Sequence, residues 1–589
     1  MGLVAAGALA QTPAEEPVVA VAPSEQTEAP LTDLTGPAVA EIEDSAAEAT
    51  FAAEPEDTFA AVELDGDARP ALADPVAEHL ALLMAEDAAD AALRDFYASR
   101  DFAPAWVDTT GLTANGEALI AALSDAAADG LHPDVYLNRP ILSRIEATDP
   151  SARAELEVLL SQAFVRFGND MMHGRFRQRE EDATTREHQA NMDLTQPLRY
   201  AVETGQVIET LQGMAPPHPE YRALRQALAQ YRELAANGGW PTVPDTGSSL
   251  EQGQRGPAIS ALRARLIASG DYVPPADGQI DDSYYDAGLA EAVRQFQRDH
   301  GLLDDAVVGP RTLAALNASP EYRIQQIEAA MERWRWYPRD LGSKHIMVNV
   351  PAYMLRAVDG DEEPLIMRVV VGTPDHQTPI FNDRMEYSQL NPYWHVPQSI
   401  ADNEYLPALR RDPFHLLNQN IRILSGGQEI NPILVDWSSV GSRFPYSLRQ
   451  EPGAGNALGR IKFLFPNRHS VYMHDTPQRH LFSRSARAFS HGCIRLHDPM
   501  AMAGFVFRGQ YTVEQIEEMI ASGRTRDLIL NEPIPVYIAY FTAAVGEDGT
   551  VHFYNDLYHR DRALIAAMVG SAPAEPEMVA ETFRADGLN

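Results

Sequence analysis

The sequence of 589 residues contains one cysteine, Cys493. Lack of a second thiol excludes an intrachain disulfide framework and any cysteine-rich zinc module. Basic residues are also scarce, with 47 Lys and Arg against 84 Asp and Glu and a formal net charge of −37. No stretch supplies the basic footprint that phosphate contacts require, which argues against a nucleic-acid partner. Long apolar runs are missing too: no window of about 18 uncharged apolar residues occurs, so no internal membrane span is expected. What remains is an ordinary globular mixture, 45% hydrophobic and 22% charged. At roughly 100–200 residues per domain the length predicts three or four domains.

The acidic excess is concentrated at the start. Residues 1–75 hold sixteen Asp and Glu and a single basic residue, Arg69. Rich in Ala, Pro, Glu and Thr, the stretch 11–75 cannot bury enough surface to offset its ordering entropy, so it reads as a disordered acidic tether. Before it, residues 1–10 end in Ala8-Leu9-Ala10, the small-x-small pattern of a signal-peptide cleavage site, with Gln11 as the new terminus. No Lys or Arg precedes the apolar residues, so 1–10 reads as the remnant of a longer export signal.

Residues 76–240 carry apolar side chains at three- and four-residue spacing, at 78–86, 116–130, 152–170 and 221–236, which predicts a helical scaffold. A Gly, Pro and Ser linker follows from Gly238 to Ser249. Within 250–317, Ile259, Leu262 and Leu266 line a first helix, Leu289, Val293 and Phe296 a second, and Leu313 and Leu316 a short third after Pro310. Gly253-Gln-Arg-Gly256, His300-Gly301-Leu302 and the run from Gly309 to Asn317 make this unit resemble the small three-helix peptidoglycan-binding domain.

From 344 to 540 the texture turns to strands, at 345–355, 365–371, 387–396, 421–424, 459–465 and 470–474. The stretch from about 398 to 450 is interrupted by Pro and Gly and rich in aromatics, a candidate lid inserted beside a site. Residues 541–589 form a C-terminal extension whose last part reads as disordered. Altogether the expected fold is multidomain α + β: helical scaffold, three-helix domain, and a mainly-β domain with a capping insert.

The chemistry gathers at Tyr472-Met-His474-Asp475-Thr-Pro and at Ser490-His-Gly-Cys-Ile-Arg495. A lone Cys is by itself a small buried hydrophobe. Here two imidazoles, His474 and His491, can take its proton, and Arg495 adds positive charge, conditions that favour the nucleophilic thiolate. Gly492, just before the Cys, lets backbone approach a ligand closely. A metal site built from His474, Asp475, His491, Cys493 and His497 does not match the usual zinc spacings, so no metal and no cofactor is expected. A papain-like hydrolase places its Cys before its His; here His474 comes first.

Taken together, Ser490-His-Gly-Cys-Ile-Arg495, His474 nineteen residues before the Cys, Asn391-Pro-Tyr-Trp-His-Val-Pro397 and Val471-Tyr-Met-His-Asp-Thr-Pro477 resemble the signature of bacterial L,D-transpeptidases. The order of parts over about 76–560 is similar to the large subfamily. This resemblance implies a cysteine acyltransferase of the periplasm or cell envelope that forms 3→3 peptidoglycan cross-links. Cys493 would attack a tetrapeptide stem with loss of D-Ala, His474 would be the base, and the backbone carbonyl of Asp475 would orient it. The N–H groups of Gly492 and Cys493 would hold the oxyanion, with Ser490, His491, Arg495, Tyr472 and Trp394 binding substrate or shaping the loop. Stem peptides, other wall-synthesis enzymes and carbapenem inhibitors are the implied partners. Two alternatives stay open: a carboxypeptidase or endopeptidase using the same site, and a catalytically idle wall-binding scaffold.

Overall fold

The computed structural model describes residues 74–86, 91–176, 194–275 and 280–570. The expected export signal, nearly all of the acidic tether, and the last 19 residues lie outside them. Among the described residues no helix is long and apolar enough to cross a membrane.

The N-terminal part is helical because its apolar residues repeat at helical spacing and each long helix has a start signal. In the longest helix, Pro150–His173, Asp149 caps the first turn through Ala152 N and Pro150 opens it. Its buried face, including Leu156, Leu160, Phe164 and Phe167, packs with Trp106, Leu119 and Leu198 into one core. In the three-helix unit, Pro257–Ala268, Ala287–Asp299 and Pro310–Leu316 bury Ile259, Leu262, Leu289, Val293, Phe296 and Leu316 together.

A further helix, Pro320–Trp334, lies between the expected domains and was not expected. Ser319 caps it through Tyr322 N, and Ile327, Met331 and Trp334 pack on Tyr221, Leu224 and Leu228 of the helix Pro219–Ala236. The same core takes in Phe541, Ala543 and Phe553 of the C-terminal extension. That extension is therefore folded as far as residue 570: Ala543–Val545 and Val551–Phe553 form a hairpin, and Arg560–Met568 a helix. Scaffold, three-helix unit and extension meet there, with the His300 ring 5.9 Å from that of Phe553.

The β domain is a barrel. Its strands are β1 (Lys344–Asn349), β2 (Met354–Asp359), β3 (Leu365–Gly372), β4 (Phe381–Leu390), β5 (Trp394–Val396), β6 (Ile421–Ser425), β7 (Gln428–Glu429), β8 (Ser447–Gln450), β9 (Ile461–Leu464), β10 (Met473–His474), β11 (Ala488–Ser490), β12 (Ile494–Leu496) and β13 (Arg526–Ala539). Neighbours run β11-β3-β12-β10-β9-β4-β13-β1-β2, and β2 also pairs with β3, which closes the sheet and leaves β11 alongside β3. The alternating residues of these strands, among them Val348, Leu355, Val369, Met385, Phe463, Met473 and Ile538, fill the interior.

Residues between β4 and β9 leave the barrel. The run Phe381–Leu390 breaks at Asn391, whose φ is 45°, so the single strand expected over 387–396 is two. From there β5-β8-β6-β7 make a second, small sheet, followed on its helical side by a π-helical turn Ala401–Tyr405 and the helix Leu406–Arg411. This insert has its own core of Trp394, Tyr405, Leu409, Trp437, Phe444 and Leu448.

Candidate active site

Strand pairing brings the motif residues together. His474 on β10 lies directly across from Lys462 on β9 and from Arg495 on β12. Lys462 in turn pairs with Gln389 on β4, and Gln389 with Asp527 on β13. Partners in register share a face of the sheet, so Asp527, Gln389, Lys462, His474 and Arg495 form one row. Cys493 enters β12 just beside this row.

His474 is fully buried. Its Nδ1 donates to the backbone carbonyl of Asp475 at 2.5 Å, which leaves the proton-free Nε2 as acceptor. That Nε2 has no hydrogen-bond partner among the described residues. Burial, with help from Arg495 and Lys462, pushes the imidazole down to about 3, so it is neutral at physiological pH. Asp475 uses its side chain elsewhere: the carboxylate accepts Arg460 N at 2.9 Å and Thr476 N at 2.7 Å and pairs with Arg479. Gly459 (φ 62°) is needed here, because a Cβ would run into that carboxylate.

Cys493 is also fully buried, within the apolar core of the insert. Burial pushes the thiol up to about 12, against the pull of Tyr472, Arg495 and Lys462. This corrects the expectation from its neighbours: in the closed arrangement the thiolate is disfavoured, because desolvation outweighs the nearby positive charge. Tyr472 reaches the sulfur through both its backbone and its hydroxyl. Trp394, wholly buried at the base of the insert, lines the same core with its indole N–H unpartnered.

The loop before the Cys is held from within. Ser490 Oγ donates to Cys493 O at 2.5 Å and accepts Gly492 N–H at 3.1 Å. Gly492 has φ 118°, a backbone state open to glycine, and its carbonyl accepts Thr378 Oγ1 at 2.8 Å. The Gly492 N–H, expected as an oxyanion donor, is thus engaged by Ser490. Arg495, with no exposed surface, donates to Gln478 Oε1 at 2.5 Å and Phe489 O at 3.3 Å. Those bonds tie Arg495 to the loop before the Cys and to Gln478.

His491 faces the insert. Its Nε2 lies 3.2 Å from Glu404 Oε1 on the π-helical turn of the insert, and its ring centroid is 4.2 Å from that of His376. His491 therefore joins the catalytic loop to the insert. Three contributors escaped the sequence reading: Lys462, Glu404 and Thr378. For Lys462 the signal was present, a Lys between Ile461 and Phe463 in an otherwise apolar strand. Among the described residues no group of three or more His, Cys, Asp and Glu is placed to hold a metal ion.

Comparison with known families adds the decisive observation, because residues 343–514 match the model of the "L,D-transpeptidase catalytic domain". The barrel is an L,D-transpeptidase domain. Residues 91–228 match the "Scaffold domain" and residues 255–316 the "Putative peptidoglycan binding domain". A curated relative, "Putative L,D-transpeptidase" of Haemophilus influenzae, is 33% identical over 226 residues, 38% of this chain. The match spans 46% of that relative's length, under half of it. Solved structures of L,D-transpeptidases from Xylanimonas cellulosilytica and Stackebrandtia nassauensis align at 18% and 12% identity. They cover 50% and 51% of this chain and 100% and 96% of theirs, with TM-scores of 0.16 and 0.20. The match to the transpeptidase domain thus stands in one chain with matches to a scaffold domain and a putative peptidoglycan-binding domain.

Proposed function

We propose that this protein is a cysteine L,D-transpeptidase that makes 3→3 cross-links in peptidoglycan. The observation that carries the reading is the base next to the thiol. His474 is locked by the Asp475 carbonyl in the tautomer that leaves Nε2 free, at the end of a strand paired with the one Cys493 enters. In the reaction His474 takes the thiol proton as the sulfur bonds to the carbonyl carbon of the third stem residue. The C–N bond to the terminal D-Ala breaks, and the protonated imidazole gives its proton to the leaving amine. A side-chain amine of a second stem then attacks the thioester, loses its proton to His474 and frees the thiol.

Transfer is favoured over hydrolysis by the insert, whose apolar core encloses Cys493 and keeps water from the thioester. The enzyme would act in the cell envelope, with 255–316 holding it on the wall. Incubating the full chain with disaccharide-tetrapeptide tests the reading. Cross-linked dimer with loss of one D-Ala is expected; tripeptide alone would assign a carboxypeptidase, and unchanged substrate the idle scaffold. Carbapenems are expected to leave a persistent adduct on Cys493, read by intact mass.

A further inference from the structure

The row across the barrel contains a charge that the reaction above does not use. Lys462 is 9% exposed, on a strand whose other residues, Ile461, Phe463 and Leu464, are buried. A charge on a side chain so largely withdrawn from water is costly unless paired, and the described residues give Lys462 no ion-pair partner. Around it stand His474 across the strand pair, the Tyr472 ring 5.5 Å from Nζ, the Cys493 thiol and His395, and beyond them two further cations, Arg495 across from His474 and Arg449 acting on His395. The one carboxylate acting on it, Asp527, is two strands away and accepts Gln389 Nε2 at 2.8 Å. Burial accordingly pulls the Lys462 ammonium below its ordinary range.

Strand order fixes where this charge stands relative to the nucleophile. Cys493 precedes β12; on one flank come β10 with His474 and β9 with Lys462. On the other come β3 and β11, whose following loops carry His376 and His491, with Glu404 of the insert against His491. A substrate anion is attracted on the Lys462 flank and repelled on the Glu404 flank. In a donor tetrapeptide three bonds of about 1.3–1.5 Å each separate the scissile carbonyl carbon from the terminal carboxylate carbon. An anion therefore sits close to the reacting carbonyl, within reach of a cation beside the thiol.

Resting on the donor reaction proposed above, we infer that Lys462 binds the terminal carboxylate of the D-alanine that leaves. It restricts donors to stems that end in a free carboxylate one residue past the scissile bond. The missing counter-charge of Lys462 is then supplied by the substrate, and a donor without that carboxylate leaves the ammonium unpaired.

The test compares disaccharide-tetrapeptide with its C-terminal carboxamide on the full chain, wild type, K462M and K462R. Wild type is expected to favour the acid by roughly 10- to 100-fold in kcat/KM, K462R to keep part of that preference, and K462M to lose nearly all of it. Retention of the full preference in K462M would overturn the inference. A second readout needs no turnover: alkylation of Cys493 by iodoacetate and by iodoacetamide, corrected for the reagents' rates with a free thiol. An excess for the anionic reagent in wild type that vanishes in K462M supports an anion site beside the thiol. Equal slowing of both reagents in K462M, with the excess retained, would show that Lys462 acts on thiol ionisation alone and overturn it. If wild type releases neither D-Ala from the acid nor D-alaninamide from the carboxamide, the transferase reading fails while the alkylation pair still decides the role of Lys462.

Discussion

Two buried polar clusters in this molecule make an instructive contrast. In the scaffold, Glu157 has no exposed surface, and its carboxylate accepts the backbone N–H groups of Ala105, Trp106 and Val107 and the hydroxyl of Tyr97. Ser161, beside it, bonds Tyr97 and the Trp106 indole. In the barrel, His474, Trp394, His491 and Arg495 each keep a buried nitrogen without a partner. Both clusters hold perturbed groups: burial raises the Glu157 carboxyl as it raises the Cys493 thiol. A shifted pKa therefore does not separate a structural cluster from a reactive one. An open nitrogen does not separate them by itself either, because Arg263 and Arg335 in the helical part keep one too. What distinguishes the second cluster is that its open atom, His474 Nε2, belongs to the base of the proposed reaction, whereas the Glu157 cluster is complete.

The contrast breaks most sharply if the reactive cluster is not reactive. Cys493→Ala should abolish acyl-enzyme formation and carbapenem adducts, as no second thiol exists, while the folded chain keeps its melting temperature. His474→Ala should slow acylation by about 10²–10⁴-fold, measured by intact mass against time.

Next in size is the structural cluster. Glu157→Ala strips three backbone N–H groups and a tyrosine hydroxyl of their acceptor, and a loss of roughly 3–5 kcal/mol is expected in denaturant titration. Acylation of Cys493 by the folded fraction should be unchanged.

The pH dependence of stability sharpens the comparison further. A thiol at about 12 when folded and about 8.5 when unfolded keeps its proton longer in the folded state. Stability should therefore fall as pH rises from about 8.5 toward 12. His474, at about 3 when folded and about 6.5 when unfolded, gives the opposite slope: the unfolded chain binds the extra proton, so stability falls as pH drops below about 6.5. Melting temperatures against pH should lose the alkaline fall in Cys493→Ala and part of the acid fall in His474→Gln.

The smallest expected effect concerns the insert. Glu404→Gln removes a partly exposed pair with His491, worth about 0.2–1 kcal/mol, so alkylation of Cys493 should speed up by no more than about fivefold. A larger change would mean that this one contact, not the apolar core around Trp437 and Phe444, holds the insert over the thiol.

Much of this was readable in the sequence. Helical spacing located the helices of the scaffold and of the three-helix unit, and the His474 and Cys493 motifs pointed to the family whose model the barrel matches. Lost was whatever depends on strands far apart in the chain. Closure through β2 and β3 is a long-range pairing that no local pattern carries. Burial of Arg495, engagement of the Gly492 N–H by Ser490, and the approach of Glu404 to His491 follow from that closure. The helix Pro320–Trp334 was legible, with Ser319-Pro320 ahead of Ile324, Ile327 and Met331, but it fell between two assigned units and was passed over.

The central claim is that a fully enclosed thiol, served by a neutral His474, carries the acyl group between two stems. Intact mass of the full chain quenched during turnover with disaccharide-tetrapeptide tests it most directly. The account predicts a wild-type adduct equal to the donor minus D-Ala, absent from Cys493→Ala, with cross-linked dimer accumulating in the medium. The same adduct on Cys493→Ala, or dimer formed by that variant, would contradict it.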